Sequence, residues 1–261
     1  MIIRKIVIAL VFILLLNPIS FSGVTFDLAD DSVDLGSSND NLSKITISAW
    51  VYPVSEGEGG VGTIYIKDAA GTTRHDFRFD NTNNLFFRIG RATSPESKTT
   101  DNNVLPNGAW AHVAVVWDGT LGDYLNDIKI YVNGTEAGTN TGNNGSGART
   151  DDNTATEHIG NRAGDTQTWD GQITEFAIWE DDLNATEISL LASSKVKGIP
   201  LQIRPSTLKV YLPMNEVSDG ASADGVSFIN QKNPGTSNGT GDNGANNTGL
   251  TGAAEGVLSY P

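Results

Sequence analysis

From residue 23 onward, apolar and polar residues alternate in short runs set apart by Gly, Asn, Asp and Thr. Runs of period two predict strands with one buried face, and many in succession predict an all-β sandwich or barrel. Ile45–Tyr52 places Ile45, Ile47, Ala49 and Val51 on one side. His75–Asp80 and Leu85–Gly90 flank Asn81–Asn84 as a hairpin, and Trp110–Trp117 follows a Pro106-Asn107-Gly108 turn. Ile128–Val132 runs into Asn133-Gly134, two residues that accept the positive φ of a tight hairpin. Glu157–Gly160 and Gly171–Trp179 complete the set. One helix is predicted, with Asn184 as its cap, Glu187 closing a capping box, and Ile188, Leu191 and Ala192 on one face; Gly198 and Pro200 end it. The expected fold is all-β, a two-sheet antiparallel jelly-roll sandwich with one short helix at the rim.

Both ends of the chain read differently. Met1–Lys5 carries two basic residues, Ile6–Leu16 is wholly apolar, and Ser20 and Ser22 are small residues suited to cleavage. That order predicts a secretory signal peptide over 1–22, because the apolar run falls short of the ~20 residues that span a bilayer. The sandwich is expected over 23–200 and a C-terminal strand plus a Gly/Asn-rich tail over 201–261. Leu208–Pro213 is strand-like and is expected to fold back on an edge of its own sandwich, the other reading being addition to a neighbour's edge, whereas Pro234–Gly252 is almost wholly Gly, Asn, Thr, Ser and Ala. Such a composition buries little apolar area, so that stretch is expected to hang free or to be ordered by a partner.

Charge and cysteine content then narrow the function. The 261 residues hold 17 basic and 31 acidic side chains, a formal charge of -14, which disfavours nucleic acid and anionic membrane as partners. With no cysteine there is no disulfide framework, thiolate metal site or cysteine nucleophile. No histidine pair has metal-ligand spacing. Gly235–Gly239 matches GxSxG in letters, but a nucleophile elbow needs a strand before it, a helix after it and a later histidine. Glu56, Glu58 and Glu180–Asp182 read as surface charge.

Five segments in order resemble the laminin-G-like branch of the concanavalin A-like lectin/glucanase superfamily. They are Phe26–Val33, Ile45–Pro53, Trp110–Gly119, Ile130–Gly134, and Ile159-Gly160 with Gly171–Trp179 and Leu183–Ile188. The resemblance covers about residues 24–196. It implies two antiparallel sheets, one concave, with ligands met at loop rims or on the concave face. The paired carboxylates of the superfamily's glucanases have no counterpart strand here, so the chain reads as non-catalytic. The family often has an aspartate where Thr174 stands, which puts its usual structural calcium in doubt.

The candidate ligand residues follow. Arg78, Arg88 and Tyr131 point away from the apolar side of their strands and could line the concave sheet. Arg149, Asp151 and Asp152 are the charged members of a long loop, Asn140–Thr156, taken as a binding rim. Trp169 could stack on a sugar or cap the core. Trp50, Trp117 and Trp179 read as core aromatics and His112 as framework. Calcium is the one cofactor considered, with Asp30, Asp31 and Asp170 as carboxylate ligands. Function is expected to be secreted or cell-surface recognition of a glycan or extracellular protein, as in adhesion. The alternative is a structural subunit of a surface layer, filament or virion, self-associating through its C-terminal strand.

Overall fold

In a computed structural model, the structure describes residues 20–21, 23–69, 71–164, 166–193, 199–243, 250–252 and 256–257. The expected signal peptide lies outside these apart from Ser20 and Phe21. The strands are β1 (Ser20–Phe21), β2 (Val24–Asp27), β3 (Ser32–Gly36), β4 (Lys44–Pro53), β5 (Val61–Ala69), β6 (Thr72–Asp80), β7 (Asn84–Ile89), β8 (Ser94–Thr100), β9 (Ala111–Asp118) and β10 (Ile128–Val132). They continue as β11 (Thr135–Glu136), β12 (Thr139–Ser146), β13 (Thr156–Ile159), β14 (Asp170–Trp179), β15 (Leu208–Leu212), β16 (Ser227–Phe228), β17 (Gly239–Asp242), β18 (Thr251–Gly252) and β19 (Gly256–Val257). The helices are α1 (Tyr124–Asp127) and α2 (Ala185–Ser193).

Two sheets face each other. The first runs β11-β10-β9-β4-β14-β2-β18, with β15 also on β14; the second runs β12-β8-β7-β6-β5-β13-β3-β17-β16. The principal pairings are antiparallel, and β1 pairs apart with β19. The inner faces supply one core, in which Ile45, Ile47 and Val51 of β4 and Val113, Val115 and Trp117 of β9 join Tyr65, Phe77, Phe79 and Phe87 of the second sheet. This is the alternation read from the sequence. Asn133 and Gly134 adopt φ of 49° and 80° between β10 and β11, as the hairpin requires.

α2 forms where expected. Asn184 Oδ1 accepts from the amides of Thr186 and Glu187 at 3.0 and 3.1 Å, and Glu187 Oε2 accepts from the Asn184 amide at 2.8 Å, a complete capping box. The helix covers the outer face of the first sheet, where Ile188 and Leu191 join a second apolar cluster with Val116, Ala177, Trp179 and Tyr211. No helix among the described residues is long and apolar enough to cross a membrane.

Beyond residue 200 the strand folds back on its own sandwich: β15 pairs with β14, and Val210 and Leu212 enter the core. The Gly/Asn stretch is not wholly free, since β17 pairs with β3, β18 pairs with β2, and Phe228 and Leu250 are fully buried. Its glycines permit close approach: a Cβ on Gly241 would lie 2.1 Å from the Ala223 carbonyl oxygen. Its asparagines replace backbone partners, Asn230 donating to the carbonyls of Lys209 and Thr236 and accepting from the Tyr211 amide.

Candidate functional site

The outer face of the second sheet carries no helix. Along β6, Phe77 and Phe79 turn inward, so Asp76, Arg78 and Asp80 turn outward. The register sets Arg88 and Phe86 of β7 beside Asp76 and Arg78. On the other side stand Thr63 and Ile66 of β5, then His158 of β13. Asp68 follows two residues after Ile66, and Arg162 reaches over from the loop after β13 to pair with it at 3.6 Å. The expected Arg78 and Arg88 therefore do share one face.

Two buried carboxylates anchor this layer. Asp76 takes Arg78 at 3.0 Å and Arg88 at 3.2 Å, while the second arm of Arg78 lies 3.5 Å from Asp80. The guanidinium of Arg78 stands 4.3 Å above the Phe86 ring. Burial pushes the carboxyls of Asp68 and Asp76 above their ordinary values, against the pull of the arginines. Thr63 Oγ1, both oxygens of Asp68, Asp76 Oδ1, Arg78 Nε, Arg88 Nε and His158 Nδ1 are buried without a hydrogen-bond partner. An unsatisfied buried polar group costs ~1–3 kcal/mol. What this face offers to solvent is the part-exposed Arg78, Arg88 and Arg162 as donors and Asp80 as acceptor, a mixture suited to hydroxyl groups, which both donate and accept.

The other expected ligand residues lie elsewhere. Arg149 is no rim residue: it donates to the Leu42 carbonyl, meets His75 Nε2 at 2.8 Å and Asp152 Oδ2 at 2.5 Å, and stacks 5.3 Å from the Trp117 ring. Asp152 is fully buried, its carboxyl held well below the carboxylate range by His75, Asn41 and Arg149 against desolvation. Lys67 joins this interior network, 2.8 Å from Asp40 and 3.5 Å from Glu157. Burial pulls His75 down to about 4. Asp151 is exposed and fixed by Asn41 and Asn153. Half of the expected loop is the strand β12 on β8.

Tyr131 belongs to the first sheet and is buried in the cluster beneath α2, on the far side of the molecule from Arg78. Burial lifts its phenol to about 12. Trp169 is fully buried in the core, tilted against Phe79, so it caps the core and presents no ring to a sugar. Trp50 is buried edge-on to His112, whose Nε2 meets Ser48 Oγ at 2.8 Å, the framework role expected of that histidine.

For calcium, Asp31 is the inward group, fully buried, with Oδ2 accepting from the Asp27 amide at 3.0 Å and Oδ1 unpartnered. Asp170 pairs across the sheet with Asp27. Calcium takes six to eight oxygens, yet among the described residues no three carboxylates or histidines group closely enough to hold a metal. Asp30, Asp31 and Asp170 are thus not a cluster of three carboxylates, the rest of the expected shell being backbone carbonyls, and burial raises Asp31 to about 7.

Three groupings with catalytic-looking letters or spacing are engaged in other contacts. Arg78 occupies the space between Asp76 and Asp80, pairing with both. Ser237 of the GxSxG letters lies in the turn between β16 and β17 and donates to Ser38 Oγ at 2.9 Å. Asp181 and Asp182 are tied to Arg204 and Lys44 as surface ion pairs, both at 2.8–2.9 Å.

A laminin-G-type family model, described as the concanavalin A-like lectin/glucanases superfamily, matches residues 27–189. No curated protein matches the chain in sequence. Among solved structures, a protein from Bacteroides ovatus ATCC 8483 described as a candidate carbohydrate-binding protein aligns with 93% of this chain at 16% identity and TM-score 0.59. This chain covers 61% of that protein's length. The CBM40 module of the Ruminococcus gnavus IT-sialidase, bound to α2,3-sialyllactose, aligns over 58% of this chain and 84% of its own, at 14% identity and TM-score 0.46. Domains LG4-5 of the mouse laminin α1 chain align over 64% and 43%, at 11% identity and TM-score 0.43. Identities this low show the fold.

Proposed function

The chain belongs to the concanavalin A-like lectin/glucanase superfamily, matched over more than half its length, and from that premise we propose that it is a secreted, non-catalytic module that recognises a glycan. One observation carries the reading. The uncovered face of the second sheet sets the part-exposed guanidinium groups of Arg78, Arg88 and Arg162 and the part-exposed carboxylate of Asp80 on one side with the half-exposed ring of Phe86. Sugar hydroxyls satisfy donors and acceptors alike, and an aromatic ring offers a surface for the sugar's C–H side. The apolar run ahead of Ser20 supports export to the cell surface or beyond.

The test is a glycan panel probed with the wild type and with Asp76→Asn and Arg88→Ala. Sugar binding that falls at least tenfold in both variants, with cooperative melting retained, supports the proposal. No sugar bound at millimolar levels, together with ordered assemblies in electron micrographs, would favour the structural-subunit alternative. Because β15 is already paired within its own chain, such assembly would use an edge such as β12, which has eight residues and no charge.

A further inference from the structure

Lys67 of β5 is a primary amine held inside the protein. Its side chain is fully buried, and Glu157, directly across the ladder on β13, is fully buried beside it. A lysine is almost never buried to this extent unless it is paired. The turn after β3 wraps the amine: Nζ donates to the Ser38 carbonyl, to the Asn39 carbonyl at 3.1 Å and to Asp40 Oδ1 at 2.8 Å. Glu157 Oε1 lies 3.5 Å from the same nitrogen and Asp152 Oδ1 3.7 Å.

The three carboxyl groups around Nζ are not equivalent. Asp152 is held ionised, with Oδ2 taken by Arg149 at 2.5 Å and Oδ1 by the Asn41 amide at 2.6 Å, so neither oxygen can depart. Glu157 is fixed by Ser38, Asn39 and the Tyr65 hydroxyl, and burial raises its carboxyl above the ordinary value. A carboxyl raised in this way takes up and returns a proton nearer to neutral pH. Asp40 makes the shortest of the three contacts and has a side chain 38% exposed, which gives a displaced oxygen a way out to solvent.

We infer that Lys67 and Asp40 condense to an amide that ties β5 covalently to the turn after β3, with Glu157 as the proton carrier. Nζ attacks Cγ of Asp40, the N–C bond forms and one C–O bond breaks. Of the three ammonium protons one stays on the amide nitrogen and two leave with the carboxylate oxygen as water. The ammonium and carboxylate charges cancel, and no co-reactant is consumed. Glu157 takes a proton from the nitrogen and returns it to the leaving oxygen, so it ends as it began. The fold makes the step intramolecular by holding amine and carboxyl together, and condensation removes a buried charge whose desolvation is costly. The chain has no cysteine and hence no disulfide. An amide between residues 40 and 67 would brace the native state as a disulfide does, by restricting the unfolded chain.

The experiment is mass spectrometry of the full chain in denaturant, followed by a protease digest. The wild type is expected to weigh one water less than its residues require and to yield a branched peptide joining Lys67 to Asp40. Asp40→Asn keeps the shape and exchanges the leaving group, so that chain is expected to lose one ammonia in place of water. Lys67→Arg is expected to lose nothing, and Glu157→Gln to lower the linked share of the folded protein at least tenfold. A wild type of full mass overturns the inference, however the variants fold. So does a lost water that survives Lys67→Arg, because an aspartate before glycine can shed water by closing on its own backbone. A branched peptide that joins Lys67 to Asp152 or Glu157 overturns it as well, and full linkage in Glu157→Gln overturns the proton-carrying role.

Discussion

The two outer faces of this sandwich were built by opposite means. Over the first sheet, α2 and the segment after it cover Trp179, Tyr131, Val116 and Tyr211, and apolar burial accounts for the contact. The outer face of the second sheet has no such cover: Asp68 and Asp76 are buried there beside Thr63 and Ile66, and the arginines that pair with the two carboxylates are part-exposed. Buried ion pairs contribute little net stability, because desolvation offsets the attraction. The same fold thus has one outer face whose composition suits stability and another whose composition suits recognition.

The largest expected effect comes from removing what the covered face borrows from the end of the chain. Deleting residues 208–261 takes Leu208 and Tyr211 from beneath α2 and Val210, Leu212, Phe228 and Leu250 from the core. At ~1.5–3 kcal/mol per buried large apolar side chain, the loss is roughly 9–18 kcal/mol, as large as the whole ~5–15 kcal/mol net stability of ordinary domains. The truncated chain is expected to show no cooperative melt and to aggregate. A well-folded truncated monomer would mean the segment is only a tail.

Next in size is Trp179→Ala. The indole is fully buried and donates to the Ile203 carbonyl at 2.8 Å, so truncation is expected to cost ~3–5 kcal/mol by denaturant unfolding. Sugar affinity of the folded fraction should not change. A loss of sugar binding in a folded Trp179→Ala variant would break the division between the faces.

Much of the covered side was legible in the sequence, and the reason is periodicity. β4, β9 and β14 set apolar residues at every second position, and Asn184 and Glu187 cap α2 as read. β8 escaped notice because its inward positions are Glu96 and Lys98, satisfied by Arg91, the Trp117 indole and the Ile128 carbonyl. Lys67 interrupts β5 in the same way. Of the open face, Arg78 and Arg88 were visible as the polar half of an alternation with Phe77, Phe79 and Phe87. Asp68, Asp76, His158 and Arg162 were not singled out, since their meeting depends on strand register and on a loop that crosses the sheet. Arg149 and Asp152 misled for the converse reason: charges in a loop read as surface, yet these two enclose one another beside Trp117.

The faces also titrate with opposite signs. His112, under the covered side, is pulled by burial to about 3. Its unfolded value is about 6.5, so its stabilising contribution is complete above that pH and is lost as pH falls toward 3. Asp76 is raised by burial, so the native state holds its proton more tightly than the unfolded chain does. Stability from that group is present below about pH 4 and is lost as pH rises through the folded value. Each contributes a slope of at most about 1.4 kcal/mol per pH unit. Urea unfolding from pH 4 to 8 should therefore show Asp76→Asn flattening the loss toward high pH and His112→Gln flattening the loss toward low pH. Asp31, raised to about 7, acts in the same sense as Asp76. If calcium binds at Asp31 with Asp170 and backbone carbonyls, the melting temperature rises with calcium and falls with chelator, and an unchanged melt in both removes the ion from the site.

The smallest stability effect separates the two designs most sharply. Phe86 is a large aromatic side chain on the open face, half-buried under the Arg78 guanidinium at 4.3 Å. A cation–π contact at such a partly wet site is worth ~0.5–1 kcal/mol, and the ring's inward neighbours Phe77 and Phe87 pack without it. Phe86→Ala is expected to lower stability by only about 1 kcal/mol, well below the loss for Trp179→Ala. Sugar affinity should nevertheless fall about tenfold, because the ring is the platform beside the part-exposed Arg78, Arg88 and Asp80. If the substitution instead costs as much stability as Trp179→Ala and leaves sugar binding intact, the polar layer is a structural element and the two outer faces do the same work.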